Sequence, residues 1–221
     1  MLEQKKRYLQ IAFNNDLNEV IRILPKIPKN ERILIEAGTP FIKKEGFYGI
    51  QLISNLWGGK VVADLKVMDG ALREVELAYK AGAAAATVLG SAPIETVNLF
   101  IHKCSELGMV SMIDMIGVDE PIKILLKLKK PPNVVILHKG RDEEGTRGKV
   151  IKYKHINKIK SKYNVLISAA GGVDLKEARS AIFNGSNIVV VNIVSKEDPW
   201  TGIKSDENIA EMAEMFLKTI E

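Results

Sequence analysis

Val61-Val62-Ala63-Asp64-Leu65-Lys66-Val67-Met68-Asp69-Gly70 opens as an apolar run and closes on two carboxylates and an ammonium within six positions. Consecutive apolar residues without alternation are the pattern of a strand covered on both faces. Charges at the end of such a strand are costly to bury unless they are paired or put to use. If the strand continues through Lys66, the period of two puts Asp64 and Lys66 on one face, where an acid and an amine can share a ligand. Asp69 then falls in the turn beyond. A plain ion pair at a strand end is the competing explanation, and the rest of the chain has to decide between them.

Similar runs recur on either side. Leu9–Phe13, Ile33–Glu36, Ala85–Val88, Val110–Asp114, Val134–His138, Val165–Ser168 and Ile188–Val191, with Val61–Asp64, make eight. Between them lie stretches of helical periodicity, such as Pro93–Leu107, Glu120–Leu128 and Leu175–Phe183, long enough to cross back over a sheet. Leu107-Gly108, Asn184-Gly185 and Ala81-Gly82 read as helix stops and Asp174 as an N-cap. Eight strand-helix units fill the 221 residues as a single (β/α)8 barrel domain over 1–221, with no Pro/Gly/Ser-rich linker. A doubly wound open sheet alternates in the same way but usually with fewer strands.

A barrel of this kind carries its chemistry where the strands end. Glu36 ends the second run, Asp64 and Lys66 the third, Asp114 the fifth and His138 the sixth, and Gly171-Gly172 follows the seventh. Glu36 and Asp64 are hard oxygen donors on neighbouring strands, a donor set suited to Mg2+. Lys66, between acids, stays protonated and is placed to stabilise an enediolate beside such an ion. His138 can move a proton near neutral pH, whereas His102 and His155 read as surface or packing residues. The loop Lys139–Gly148 is rich in charge and glycine, as a mobile lid is, and either Arg141 or Arg147 can clamp an anion from it. Gly171 and Gly172 let backbone N–H groups approach a phosphate.

Composition excludes several other classes. No apolar run approaches the roughly 18 to 20 residues of a membrane helix, and the N-terminal segment has no signal-peptide core, so a cytoplasmic protein is expected. Cys104, the single cysteine, makes no internal disulfide and reads as a reduced core residue. The net charge of +5 comes from dispersed lysines apart from Lys152–Lys162, where Ile156 and Ile159 are spaced like the buried stripe of a helix with a solvated basic face. With aromatics at 6% there is little for base stacking, and no nucleic-acid partner is expected. A mild positive balance suits an anionic small molecule.

The string Asp64-x-Lys66-x-x-Asp69, with Glu36 before it and Asp114, His138 and Gly171-Gly172 after it, resembles the orotidine 5′-monophosphate decarboxylase superfamily. Within it the likeness is closer to the 3-hexulose-6-phosphate synthase and 3-keto-L-gulonate-6-phosphate decarboxylase branch. It runs through LQIAF, IEAGTP, VVADLKVMDG, SMIDMIGV, ILHKGRDEEG, SAAGGVDLKEA and SKEDP. The resemblance implies a homodimeric (β/α)8 barrel with shared sites. Glu36 and Asp64 would hold Mg2+, Lys66 would stabilise the enediolate, His138 would handle protons and Asp114 would orient substrate. Asp69 would reach the partner subunit's site. Read from their places in the chain, Arg141, Gly171, Gly172 and, through backbone amides after the eighth strand, Asn192 are the candidates for binding the sugar phosphate.

Aspartate at position 114 favours the synthase, which joins formaldehyde to D-ribulose 5-phosphate, over the gulonate decarboxylase, where glutamate is expected. Asp69-Gly70-Ala71 lacks the Asp-Ile-Pro continuation of the orotidylate enzymes. The chain departs from the family at Asn14, where aspartate is usual, and at Val191-Asn192-Ile193, where glycine usually helps to cup phosphate. These departures keep open a catalytically reduced barrel that binds a phosphorylated metabolite.

Overall fold

The computed structural model describes residues 1–221. Its strands are β1 (Tyr8–Phe13), β2 (Ile33–Ala37), β3 (Val61–Val67), β4 (Ala85–Leu89), β5 (Val110–Asp114), β6 (Val134–His138), β7 (Leu166–Ala170) and β8 (Ile188–Val194). Each pairs in parallel with the next, and β1 pairs in parallel with β8, so the sheet closes on itself. The helices are α1 (Leu17–Ile23), α2 (Thr39–Trp57), α3 (Ala71–Lys80), α4 (Ile94–Glu106), α5 (Pro121–Leu125), α6 (Ile156–Lys160), α7 (Leu175–Phe183) and α8 (Ile209–Thr219). The expected (β/α)8 barrel is therefore present, with strand ends displaced by at most three residues. A short strand not anticipated from the sequence, β9 (Ile203–Lys204), pairs beside the end of β8. No helix is long and apolar enough to cross a membrane.

Period-2 alternation sorts the strand residues into two cores. Residues such as Leu9, Ile11, Ile35, Ala63, Val135, Ile167 and Val189 face the helices and join a cluster of 54 buried residues. The opposite parity, including Tyr8, Leu34, Val62, Val110, Val134, Leu166 and Ile188, fills the barrel axis with a cluster of only 13. Two residues further along the same inward faces come Gln10, Glu36, Asp64, Met112, Ile136, Ser168 and Val190. The polar side chains of the interior, Gln10, Glu36, Asp64 and Ser168, thus enter in this second layer, among Met112, Ile136 and Val190, above the base formed by the first.

Two local expectations are corrected. β3 does not run evenly through Lys66: Ala63 pairs with Ala86 and Val67 with Val88, so Asp64, Leu65 and Lys66 together oppose Thr87. This bulge puts Lys66 at φ 47°, in the left-handed region that residues with a Cβ rarely adopt. The basic stretch Lys152–Lys162 is not one helix. It forms a 3-10 turn at Tyr153–His155 and the five-residue α6, with Ile156 and Ile159 buried and the lysines exposed as expected. His155 is buried, a packing residue as one of the two expectations had it, and His102 is exposed.

Loop lengths decide what surrounds the barrel mouth. Asp174 caps α7 by accepting the Glu177 N–H at 2.7 Å, which fixes the turn of Gly171 and Gly172 just before it. Because β6 is followed by no α-helix until Ile156, residues 139–155 form a long connection, with 3-10 turns at Arg141–Glu143 and Tyr153–His155, that brings Arg141 and Glu144 to the mouth.

Candidate active site

Glu36, Asp64, Lys66, Asp114, His138, Arg141, Gly171 and Asn192 line one cavity of about 260 Å3 at the strand C-termini. Its floor is a network around Lys66. The ammonium lies 2.8 Å from Asp64 Oδ2, 3.0 Å from Asp64 Oδ1 and 2.8 Å from Asp114 Oδ2. The carboxylates are deeply set, with Asp64 8% and Asp114 1% exposed, so this is not the screened surface pairing that contributes little. Burial works against charge on Lys66, but the two carboxylates outweigh it and hold the amine protonated well above its ordinary range.

Thr87 explains how the bulge is tolerated. Its hydroxyl accepts the Lys66 backbone N–H at 2.9 Å and donates to Asp64 Oδ1 at 2.8 Å. The one residue opposite the bulge thereby satisfies the freed backbone donor and holds the neighbouring carboxylate. Thr39, at the start of α2, lies 2.8 Å from Asp64 Oδ2. The Thr39 hydroxyl also lies 2.7 Å from the Asp64 carbonyl oxygen, so Lys66 and Thr87 are the donors that orient the carboxylate and Thr39 shares its one proton between the two acceptors.

Asp114 organises the far side. It accepts the Ile116 N–H at 2.9 Å, and its two oxygens lie 3.1 and 2.9 Å from His138 Nδ1. Burial opposes ionisation of Asp114, yet His138 and Lys66 keep it well below the usual carboxylate range. Burial likewise opposes charge on His138, but Asp114 overrides it and raises the imidazole above its ordinary value. Since an ionised Asp114 only accepts, Nδ1 carries a proton toward it and Nε2 is the exchangeable ring position.

Glu36 lies beside these groups and hydrogen-bonds the Gln10 side-chain amide. Burial first, and then the charge of Asp64, raise its pKa to about 7. Gln10 Oε1 is buried without a partner. Asp64 and Asp114 therefore hold the ammonium and Asp114 the imidazole, while Glu36 and Asp64 line the same cavity as hard oxygen donors of the type a divalent cation takes. The chain offers no cluster of three or more histidine, cysteine or acidic ligands. A metal here would rest on Glu36 and Asp64 and otherwise on water and substrate, the usual magnesium arrangement.

A family model for the orotidine 5′-phosphate decarboxylase / HUMPS family matches residues 7–202. The chain belongs to this family. The bifunctional enzyme Fae/Hps of Methanocaldococcus jannaschii is 39% identical over 199 residues, covering 89% of this chain and 50% of that protein. Its counterpart in Methanothrix thermoacetophila is 34% identical over 215 residues, covering 96% and 52%. The chain spans about half the length of the curated relatives it matches. Among solved structures, 3-hexulose-6-phosphate synthase from Salmonella typhimurium superposes with a TM-score of 0.82 at 26% identity, over 96% of this chain and 98% of that one.

Some expected family positions fall outside the cavity. Asp69 is exposed on the turn before α3 and does not line its own chain's cavity. Of the two loop arginines, Arg141 lines the cavity and Arg147 is exposed outside it. Gly172 sits directly behind Gly171 in a turn where both have positive φ, 101° and 64°. Asn192 accepts a hydrogen bond from Asn14 at 3.0 Å, so the two departures from the family pattern meet in one contact at the wall of the cavity.

Other residues of the site were not legible beforehand. Gln10, Thr39 and Thr87 carry no charge and look like interruptions of apolar runs; only the inward parity of Gln10 and Thr87 marks them. Glu144 and Trp200 meet the site through loop packing, with Arg141 over the Trp200 ring at 4.7 Å. Cys104 is buried and its thiol is pushed up to about 12, so it takes no part.

Proposed function

We propose that this chain is a carbon-carbon lyase of the 3-hexulose-6-phosphate synthase type, a Mg2+-dependent aldolase that reversibly joins formaldehyde to D-ribulose 5-phosphate through an enediolate. The observation that carries the reading is Lys66, an obligatorily charged ammonium held by Asp64 and Asp114 within a cavity whose other floor residue is Glu36. The names of the Salmonella typhimurium structure and of the Fae/Hps relatives agree with it.

The chemistry needs a proton taken from the carbon beside a ketone, stabilisation of the resulting enediolate and delivery of a proton to the new alkoxide. Lys66 lies where negative charge develops and needs no reorganisation to meet it. His138 exchanges the proton at Nε2, while Asp114 fixes the tautomer and supports the imidazolium. Glu36 and Asp64 would hold Mg2+, which supplies Lewis-acid polarisation of the substrate's oxygens when bound. Gly171, Gly172, Asn192 and Arg141 receive the phosphate. Asp69 acts in the partner's cavity of a homodimer, which accounts for an acid of the Asp64-x-Lys66-x-x-Asp69 string lying outside its own.

Incubation with ribulose 5-phosphate, formaldehyde and Mg2+ is expected to consume formaldehyde, and a chelator to stop it. Absence of turnover, with 3-keto-L-gulonate 6-phosphate also inert, rejects the enzymatic reading and leaves a barrel that only binds. Release of CO2 from the gulonate, without formaldehyde use, replaces the aldolase by a decarboxylase.

A further inference from the structure

The loop after β6 returns to the barrel mouth at Glu144. This side chain lines the cavity, and its Oε2 accepts the backbone N–H of Thr201 at 3.1 Å. Its other oxygen, Oε1, is buried with no hydrogen-bond partner. The carboxyl carbon lies over the bare face of the glycine turn. A Cβ at Gly172 would meet it at 3.1 Å, and would meet Lys139 Nζ at 3.1 Å as well. Neither Glu144 nor Lys139 belongs to an ion pair.

A backbone N–H from one loop, an open glycine turn from another and a nearby ammonium are surroundings built for an anion. Glu144 fills them incompletely, since one of its oxygens lacks the donors a carboxylate normally collects. A phosphate presents more oxygens and more charge to the same groups, and two anions cannot occupy one small cradle. We infer that Glu144 is an internal competitor of the substrate's phosphate, resting against Gly172, the Thr201 N–H and Lys139 until a phosphorylated ligand displaces it with its loop.

This deepens, and rests on, the reading in which the Gly171-Gly172 turn receives phosphate. It makes Glu144 a residue that sets phosphate affinity: it weakens the binding of phosphate-bearing ligands only, because a sugar without phosphate does not contend with it for the cradle. Lys139, freed from sharing its surroundings with Glu144, becomes a phosphate ligand.

Calorimetric titration of the wild type, Glu144→Gln, Glu144→Ala and Lys139→Ala with inorganic phosphate, ribulose 5-phosphate and unphosphorylated ribulose tests the exchange. Both Glu144 variants are expected to bind the two phosphate-bearing ligands about fivefold tighter or more, with ribulose unchanged, and Lys139→Ala to bind them more weakly. A merely structural role for Glu144 would weaken binding of all three. If the wild type prefers ribulose 5-phosphate to ribulose and the Glu144 variants bind it no tighter, the competitor is overturned while the phosphate cradle stands. If no protein distinguishes the two sugars, both are overturned.

Discussion

Lys66 adopts a backbone conformation, φ 47°, that costs a residue with a Cβ about 1 kcal/mol or more, and the surrounding residues hold it there. Thr87 takes its N–H while Asp64 and Asp114 take its ammonium. Strain held in place at the ammonium between Asp64 and Asp114 argues against a plain ion pair at a strand end. Lys66→Ala is expected to lower kcat in the formaldehyde assay by about 100-fold or more, because a charge opposite a developing oxyanion is removed. Retention of full rate would mean that the site has been misplaced. His138 gives a second test at this scale. Its folded pKa is raised by Asp114 against burial, above an unfolded value of about 6.5. The stabilisation from the charged pair is therefore complete below about pH 6.5 and is lost as the pH rises through the folded value. Glu36, raised to about 7, also makes stability fall with pH up to about that value, so denaturant unfolding followed upward from about pH 6 is expected to show falling stability in the wild type, and His138→Gln to make that slope shallower. An identical slope in both proteins would assign it to another group.

At the scale of elements, the strand ends were readable because charge at the end of an apolar run is conspicuous and parity tells which way it points. Asp64, Asp114 and His138 needed nothing else. The bulge in β3 was not readable: hydrophobic patterning records which residues are buried but carries no trace of the two added residues in the ladder, and regular alternation happens to give the same facing for Lys66. The contact of Glu144 with Thr201 joins two loops whose residues are polar and of no set period, so nothing in the sequence pairs them. Glycine turns allow a graded test. At Gly171, φ is 101° and a Cβ would lie 1.8 Å from the Lys139 carbonyl oxygen, whereas at Gly108, φ is 68° and nothing lies within 4 Å. Gly108→Ala is expected to cost about 1 kcal/mol in chemical denaturation, the conformational penalty alone. Gly171→Ala is expected to cost clearly more and to remove ribulose 5-phosphate binding, because the backbone of the turn has to move. Equal losses would show that the contact with Lys139 yields freely.

The whole molecule brings residues from eight strands to one rim, and the proposed homodimer adds a ninth contribution. Asp69 lies outside its own cavity, so the proposal assigns it to the partner's. Mixing Lys66→Ala with Asp69→Ala subunits under exchange is expected to restore about a quarter of wild-type activity from two inactive proteins, since only one site in each mixed dimer is intact. No recovery would sink the shared site. Closure between β1 and β8 bears on how such a molecule is made. Tyr8 pairs beside Ile188, so a chain emerging from the ribosome carries an unpaired strand edge until nearly the whole barrel has been translated. Every shorter nascent fragment is an open ribbon able to join another, and slow synthesis at high expression exposes this protein to co-translational aggregation far more than its finished, edgeless form suggests.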